Sequence, residues 1–193
     1  GGDYAPEEIV LGAIEAVKAY DYDVVLVGDE TKIRQVLTTH GAKENERLSI
    51  VHASEVIEMG GIGSAIRRKK DASIVVAARL VKDGACDAVV AAGSTGAAVT
   101  AALFELGRIK GIERPCIATP IPSKKGITVL LDSGANASSK PKHLVEAPLW
   151  LPLRQIHPRT SKSRLWDLLN IGEEASKGNE LCQKTHPNVG KLK

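Results

Sequence analysis

Aromatic residues are scarce in this chain: one phenylalanine, three tyrosines and two tryptophans among 193 residues. A core with so few rings must rely on Val, Ile, Leu and Ala, which suits parallel strands covered by helices. The three cysteines, Cys86, Cys116 and Cys182, stand far apart. No C-x-x-C pair exists to hold zinc or form a redox centre, so reduced thiols in a cytosolic protein are expected. No apolar run approaches the ~20 residues of a membrane span, and no signal-peptide pattern is read. Charge of either sign is not in excess: 26 basic and 23 acidic residues leave a net +3, which argues against a nucleic-acid partner. No Gly-x-Gly-x-x-Gly follows a strand, and neither a Gly-x-x-x-x-Gly-Lys-Ser/Thr loop nor a His-Glu-x-x-His pair occurs. Neither a cofactor nor a metal is therefore expected.

What is present is an alternation of strand and helix patterns in a chain long enough for one sizeable core. Residues 5–20 carry Ile9, Val10, Ala13, Ile14 and Val17 at helical spacing, with Pro6 and two glutamates in the first turn. Residues 22–28 read as an apolar strand, 31–39 as a helix closed by Gly41, 48–53 as a strand, and 72–82 as a helix stopped by Gly84. Between them, Gly60-Gly61-Ile62-Gly63 precedes the basic run Arg67-Arg68-Lys69-Lys70. That run reads either as a solvated helix face or as a surface for docking an acidic partner. Further strands are expected at 88–92, 116–119, 127–132 and 168–171, with Pro120, Pro122 and Lys124-Lys125-Gly126 forming the turn between the second and third. The alternation predicts a single α/β domain over residues 1–193, a sandwich with a mainly parallel sheet. Ligands in such sheets gather beyond the carboxyl ends of the strands. The glycine-bearing turns after Ala92, Asp132 and Ile171 are expected at that edge.

The most informative stretch is 87–99, Asp-Ala-Val-Val-Ala-Ala-Gly-Ser-Thr-Gly-Ala-Ala-Val. It reads as a short buried strand at 88–92 that stops at Gly93-Ser94-Thr95-Gly96 and restarts as a helix through Gly107. The first turn of such a helix has unpartnered N–H groups and a partial positive charge, a combination that receives phosphate or another small anion. The same four residues also make a plain tight turn with a Ser or Thr cap. Asp132 is placed either to bind a ligand or to accept backbone donors in its own turn. Lys177 stands near a helix start, where a cation opposes the dipole, so a functional role is weighed against simple solvation. His52, at a strand end, reads as a cap rather than a site residue.

Several segments carry a family likeness. They are Gly1-Gly2-Asp3-Tyr4-Ala5-Pro6-Glu7, His52-Ala53-Ser54-Glu55-Val56-Ile57, Ala92-Gly93-Ser94-Thr95-Gly96-Ala97, Gly107-Arg108-Ile109-Lys110-Gly111-Ile112-Glu113-Arg114-Pro115, Asp132-Ser133-Gly134-Ala135-Asn136 and Asn170-Ile171-Gly172-Glu173-Glu174. In this order they resemble the bacterial acyl-ACP:phosphate acyltransferase (PlsX) family, over residues 1–146 and about 168–186. The resemblance implies a three-layer α/β/α fold akin to phosphotransacetylases and formation of acyl phosphate from acyl-[acyl-carrier-protein] and inorganic phosphate. It also implies a role in bacterial phospholipid synthesis, acyl carrier protein as partner, a homodimer, and a cytoplasmic location with peripheral membrane contact. On that reading Gly93, Ser94, Thr95, Gly96 and Ala97 cradle phosphate. Lys177 is the catalytic residue, stabilising phosphate or the oxyanion, and Asp132 and Asn136 shape the neighbouring wall.

The likeness breaks at 147–167. Pro148 and Pro152 would interrupt a helix there, and both tryptophans, Trp150 and Trp166, fall in this window. Read one base later, the last two letters of the tryptophan codon UGG begin a glycine codon, and glycines are what the family pattern expects. The window is therefore read as an aberrant segment translated out of frame, with the frame restored at about Leu168. Met59-Gly60-Gly61-Ile62-Gly63 also replaces what is usually an acidic, proline-containing segment. The family extends beyond both ends, so the chain is expected to be a fragment inactive alone. Two other readings stay open: a CoA-dependent phosphotransacetylase-like enzyme, and a non-catalytic module docking acyl carrier protein through residues 67–70.

Overall fold

The computed structural model describes residues 1–58, 62–124, 126–150, 167–172, 174 and 176–189. These fall into two compact units, Gly1–Gly107 and Arg108–Lys193.

In the first unit the helical stripe of the opening residues becomes α1 (Glu7–Ala19), with Val10 and Ile14 buried. The apolar run after it becomes β1 (Val24–Gly28). Asp29 starts α2 (Glu30–Thr39) by accepting the Lys32 N–H at 3.2 Å, a cap of the expected chemistry. β2 (Leu48–His52) then lies parallel to β1, with Val24 opposite Leu48 and Gly28 opposite His52. This βαβ turn buries Val10, Ile14, Leu26, Ile33, Leu37 and Leu48 in one core. Each such side chain contributes about 1.5–3 kcal/mol by leaving water. A second core joins α3 (Ile62–Arg68), α4 (Ser73–Lys82) and α5 (Thr95–Glu105) through Ile66, Ala72, Val75, Ala78, Ala97 and Ala101. The alanines let α4 and α5 pack closely. The basic run thus ends one helix, α3, and continues past it.

The strand expected at 88–92 does not form. These residues are unpaired and exposed, Val90 to 95%. An apolar run becomes a strand only when a neighbour completes its hydrogen-bond ladder, and among the described residues none does.

In the second unit β3 (Ala118–Ser123) and β4 (Gly126–Leu131) form an antiparallel hairpin, Ser123 opposite Gly126. The mainly parallel pattern expected of the chain does not extend to this pair: a two-residue connection joins antiparallel neighbours, since parallel ones need a crossover of a dozen residues or more. Pro120 and Pro122 lie within β3 rather than in the turn, as proline does on edge strands. α6 (Pro141–Trp150) and α7 (Glu180–Val189) pack together. α6 runs through Pro148 to Trp150, so this proline does not end the helix as expected. It falls in the last turn, so its missing N–H and its ring disturb only the end of the helix. Pro152 and the rest of the 151–166 window lie outside the described residues. The strand expected at 168–171 is also absent: Leu169 and Ile171 are 83% and 85% exposed, and the segment is held by local side-chain bonds instead. The chain is thus a mixed α/β structure containing a parallel pair.

Candidate functional site

At the start of α5, Ser94 is extended (φ −60°, ψ 116°), and its Oγ accepts the Ala97 N–H at 3.3 Å. Its carbonyl takes the Ala98 N–H at 3.0 Å. Among the described residues no acceptor engages the N–H groups of Thr95 or Gly96, and both residues are exposed. The first turn holds no acidic side chain, so nothing internal fills the place an anion would take. Thr100 Oγ1 donates to the Gly96 carbonyl at 2.6 Å, closing the turn from below. A Cβ at Gly93 would lie 3.2 Å from the Gly1 carbonyl carbon and 3.3 Å from Gly2 N. The chain's own opening residues thus pass close against Gly93.

Asp132, after β4, accepts four bonds. Oδ1 takes the N–H of Ile117 at 2.7 Å and of Ala135 at 3.2 Å. Oδ2 takes the backbone N–H of Asn136 at 2.8 Å and its Nδ2 at 2.9 Å. Burial pushes this carboxyl upward, but the donors from Ile117, Asn136 and Ala135 together outweigh it and hold it below the ordinary aspartate range. Asn136 Nδ2 also donates to the Pro115 carbonyl at 2.9 Å. Of the two readings of Asp132, the geometry favours the one in which its oxygens organise their own loop.

Lys177 lies in the loop before α7, three residues ahead of the helix rather than inside its first turn. Asn179 caps the helix, its Oδ1 accepting the Cys182 N–H at 2.9 Å. The Lys177 N–H donates to Glu174 O at 2.9 Å, and its carbonyl accepts Asn170 Nδ2 at 3.1 Å. Its stem passes Gly172, where a Cβ would meet Lys177 Cγ at 3.0 Å. The lysine is exposed, and its Nζ meets no carboxylate among the described residues. Its backbone is held by these bonds, and the side chain is exposed.

The structure therefore groups Gly93 to Ala97 in the first unit and bonds Asp132 to Asn136 in the second, which also carries Lys177. His52 does what a cap does: its Nδ1 accepts the Glu30 N–H at 3.3 Å. Sequence reading missed a polar cluster in the second unit. Glu113 Oε2 lies 3.0 Å from His143 Nε2, and Oε1 lies 3.4 Å from Lys142 Nζ. The Glu113 N–H donates to the buried Glu146 at 2.9 Å. His143 and then Lys142 hold the Glu113 carboxyl below its ordinary range. Residues about thirty positions apart give no local pattern to find. Among the described residues no group of three His, Cys, Asp or Glu side chains is placed to hold a metal. No described helix is long and apolar enough to cross a membrane.

A family model described as "Fatty acid synthesis protein" matches residues 1–192. The chain belongs to that family. Among its curated relatives, a protein of Desulfitobacterium hafniense (strain Y51) named "Phosphate acyltransferase" is 47% identical over 192 residues, 99% of this chain and 57% of the relative. One of the same name from Pelotomaculum thermopropionicum is 50% identical over 188 residues, 94% of this chain and 53% of its own length. Another from Elusimicrobium minutum is 42% identical over 193 residues, 100% of this chain and 57% of its length. The chain thus spans just over half the length of these relatives. In this family member, the α5 N-terminus, the Asp132 loop and the Lys177 loop all fall within the matched residues.

Proposed function

We propose that this chain serves the formation of acyl phosphate from acyl-[acyl-carrier-protein] and inorganic phosphate, an entry step of bacterial phospholipid synthesis. The observation that carries the reading is 47% identity, across 99% of the chain, to a relative named phosphate acyltransferase. The chemistry asks little of a protein acid or base. Phosphate is already an anion at neutral pH, and the leaving thiol has a pKa near ~8.5. What remains is alignment of two reactants and donors for the tetrahedral oxyanion, each donor worth roughly 3–4 kcal/mol. The unengaged N–H groups of Thr95 and Gly96 supply donors for phosphate, with Ser94 and Ala97 shaping the turn and Gly93 closing it. Lys177, exposed in its loop, supplies positive charge to the phosphate or the oxyanion. Asp132 and Asn136 hold the loop after β4, and no Ser or Cys nucleophile is needed.

The same reading carries a three-layer, phosphotransacetylase-like fold, a homodimer, and a cytoplasmic protein that touches the membrane at its surface. The deciding experiment measures release of free carrier protein from acyl-carrier protein by the complete gene product, with and without phosphate. Release is expected to require phosphate, to yield acyl phosphate, and to fall about 10²-fold in Lys177→Ala. Preference for acyl-CoA in direct competition would instead place the chain with CoA-dependent phosphotransacetylases.

A further inference from the structure

Most arginines on the described surface of the first unit face a carboxylate. Arg34 pairs with Glu30 and Glu44, Arg47 with Asp21 and Asp23, and Arg79 with Glu105. Arg67 and Arg68, in the last turn of α3, are exposed and have no carboxylate within ion-pair distance among the described residues. Arg67 instead lies over the ring of Phe104, its guanidinium carbon 5.1 Å from the ring centre. Phe104, the chain's one phenylalanine, projects from α5 and is 44% exposed. Between the two helices is a cleft of about 340 Å³ lined by Gly63, Ser64, Arg67, Arg68 and Phe104. Lys70, just beyond α3, is exposed as well.

An arginine stacked on an aromatic face keeps its charge, and its planar fork is held ready for a carboxylate. Exposed aromatics beside arginine are also the composition of interface anchors. The cleft is large enough for one apolar side chain, and its rim is positive. Its complement is a surface that presents carboxylates around a projecting apolar residue.

We propose that this α3–α5 face is the docking surface for an acidic protein partner, the acyl carrier protein of the function proposed above. Carboxylates of the carrier engage Arg67, Arg68 and Lys70, and one of its apolar side chains enters the cleft beside Phe104. The inference rests on that functional reading for the partner's identity and on the α3–α5 geometry for its place. Charge complementarity of this kind acts mainly on encounter and on discrimination between partners.

The test measures binding of unacylated carrier protein to the complete gene product and to its Arg67→Glu/Arg68→Glu variant. It also measures phosphate-dependent turnover of acyl-carrier protein and of a small acyl thioester lacking the carrier. The double variant is expected to bind carrier at least tenfold more weakly and to show a matching rise in KM for acyl-carrier protein. Turnover of the small thioester should be unchanged, and wild-type binding should weaken steeply with salt. Phe104→Ala should weaken carrier binding severalfold at any salt. If neither protein turns over either thioester, the functional reading fails, while the tenfold binding difference still supports the docking surface. Where the charge reversal does not fold, Arg67→Gln/Arg68→Gln replaces it, with a threefold or greater loss expected. Carrier binding that is equal in wild type and variant overturns the proposal. So does a variant whose lost property is binding to vesicles of anionic lipid, or self-association by light scattering, with carrier binding intact.

Discussion

The side-chain oxygen of Asn170 occupies the space where residue 178 would carry a methyl group. A Cβ at Gly178 would collide with Asn170 Oδ1, and the backbone there has φ +89°. Asn170 in turn donates through Nδ2 to the Lys177 carbonyl. The two residues together set where the lysine's backbone runs. Gly178→Ala is therefore expected to displace Asn170 and to add about 1–2 kcal/mol of left-handed backbone strain. Hydrogen exchange should show faster exchange confined to residues around 170–178, with activity falling at least tenfold if Lys177 acts as proposed.

Ser94→Ala removes the one side-chain acceptor at the start of α5 and leaves the Ala97 N–H without it. A loss of about 1 kcal/mol in stability is expected, from the lost cap. Ser94→Asp should keep the cap but place a carboxylate where phosphate is proposed to bind. The two variants separate by kinetics: a modest change in phosphate KM for alanine, and a rise of tenfold or more for aspartate, which repels the anion.

Asp132 gives a pH signature. Its carboxyl is held below the ordinary value of 3.8. A depressed folded-state value stabilises the fold fully above the unfolded-state value, and that stabilisation is lost as pH falls through the folded-state one. Asp132→Asn removes acceptor capacity for the Asn136 donors and should cost roughly 2 kcal/mol at neutral pH. Urea midpoints of wild type and variant should differ by a constant amount from pH 7 to about 5 and converge below the ordinary aspartate value.

Glu146 is nine-tenths buried, and its carboxylate accepts the Glu113 N–H while facing Lys142 at 3.5 Å. Glu146→Ala leaves that N–H without its acceptor and should destabilise the second unit by about 1–3 kcal/mol. Glu146→Gln, which keeps a carbonyl oxygen for the same donor, should recover part of the loss in a thermal melt.

Local chemistry was what the sequence made legible. The spacing of Val10 and Ile14 and the cap role of His52 depend on neighbours a few residues away or on a single strand end, and these were found as expected. Ladders depend on partners elsewhere. The runs at 88–92 and 168–171 have strand composition, yet neither has a neighbour to pair with among the described residues. A turn between the two strands was legible at 120–126, but not that Pro120 and Pro122 join β3 and leave a two-residue link, because ladder register leaves no mark in composition. At the candidate site, the serine cap and the helix start were readable from Gly93-Ser94-Thr95-Gly96. That Asp132 accepts donors of its own turn was one of its two readings; its bond from the Ile117 N–H and the Asn170–Gly178 contact were not legible, since side-chain geometry inside loops leaves no periodic trace.

The most direct measurement is the rate of carrier-protein release from acyl-carrier protein by the complete gene product as phosphate is raised from zero. Release that is absent without phosphate, saturates with it and yields acyl phosphate in equal amount is the expected result. Release that proceeds at the same rate without phosphate, giving free fatty acid, would contradict the account.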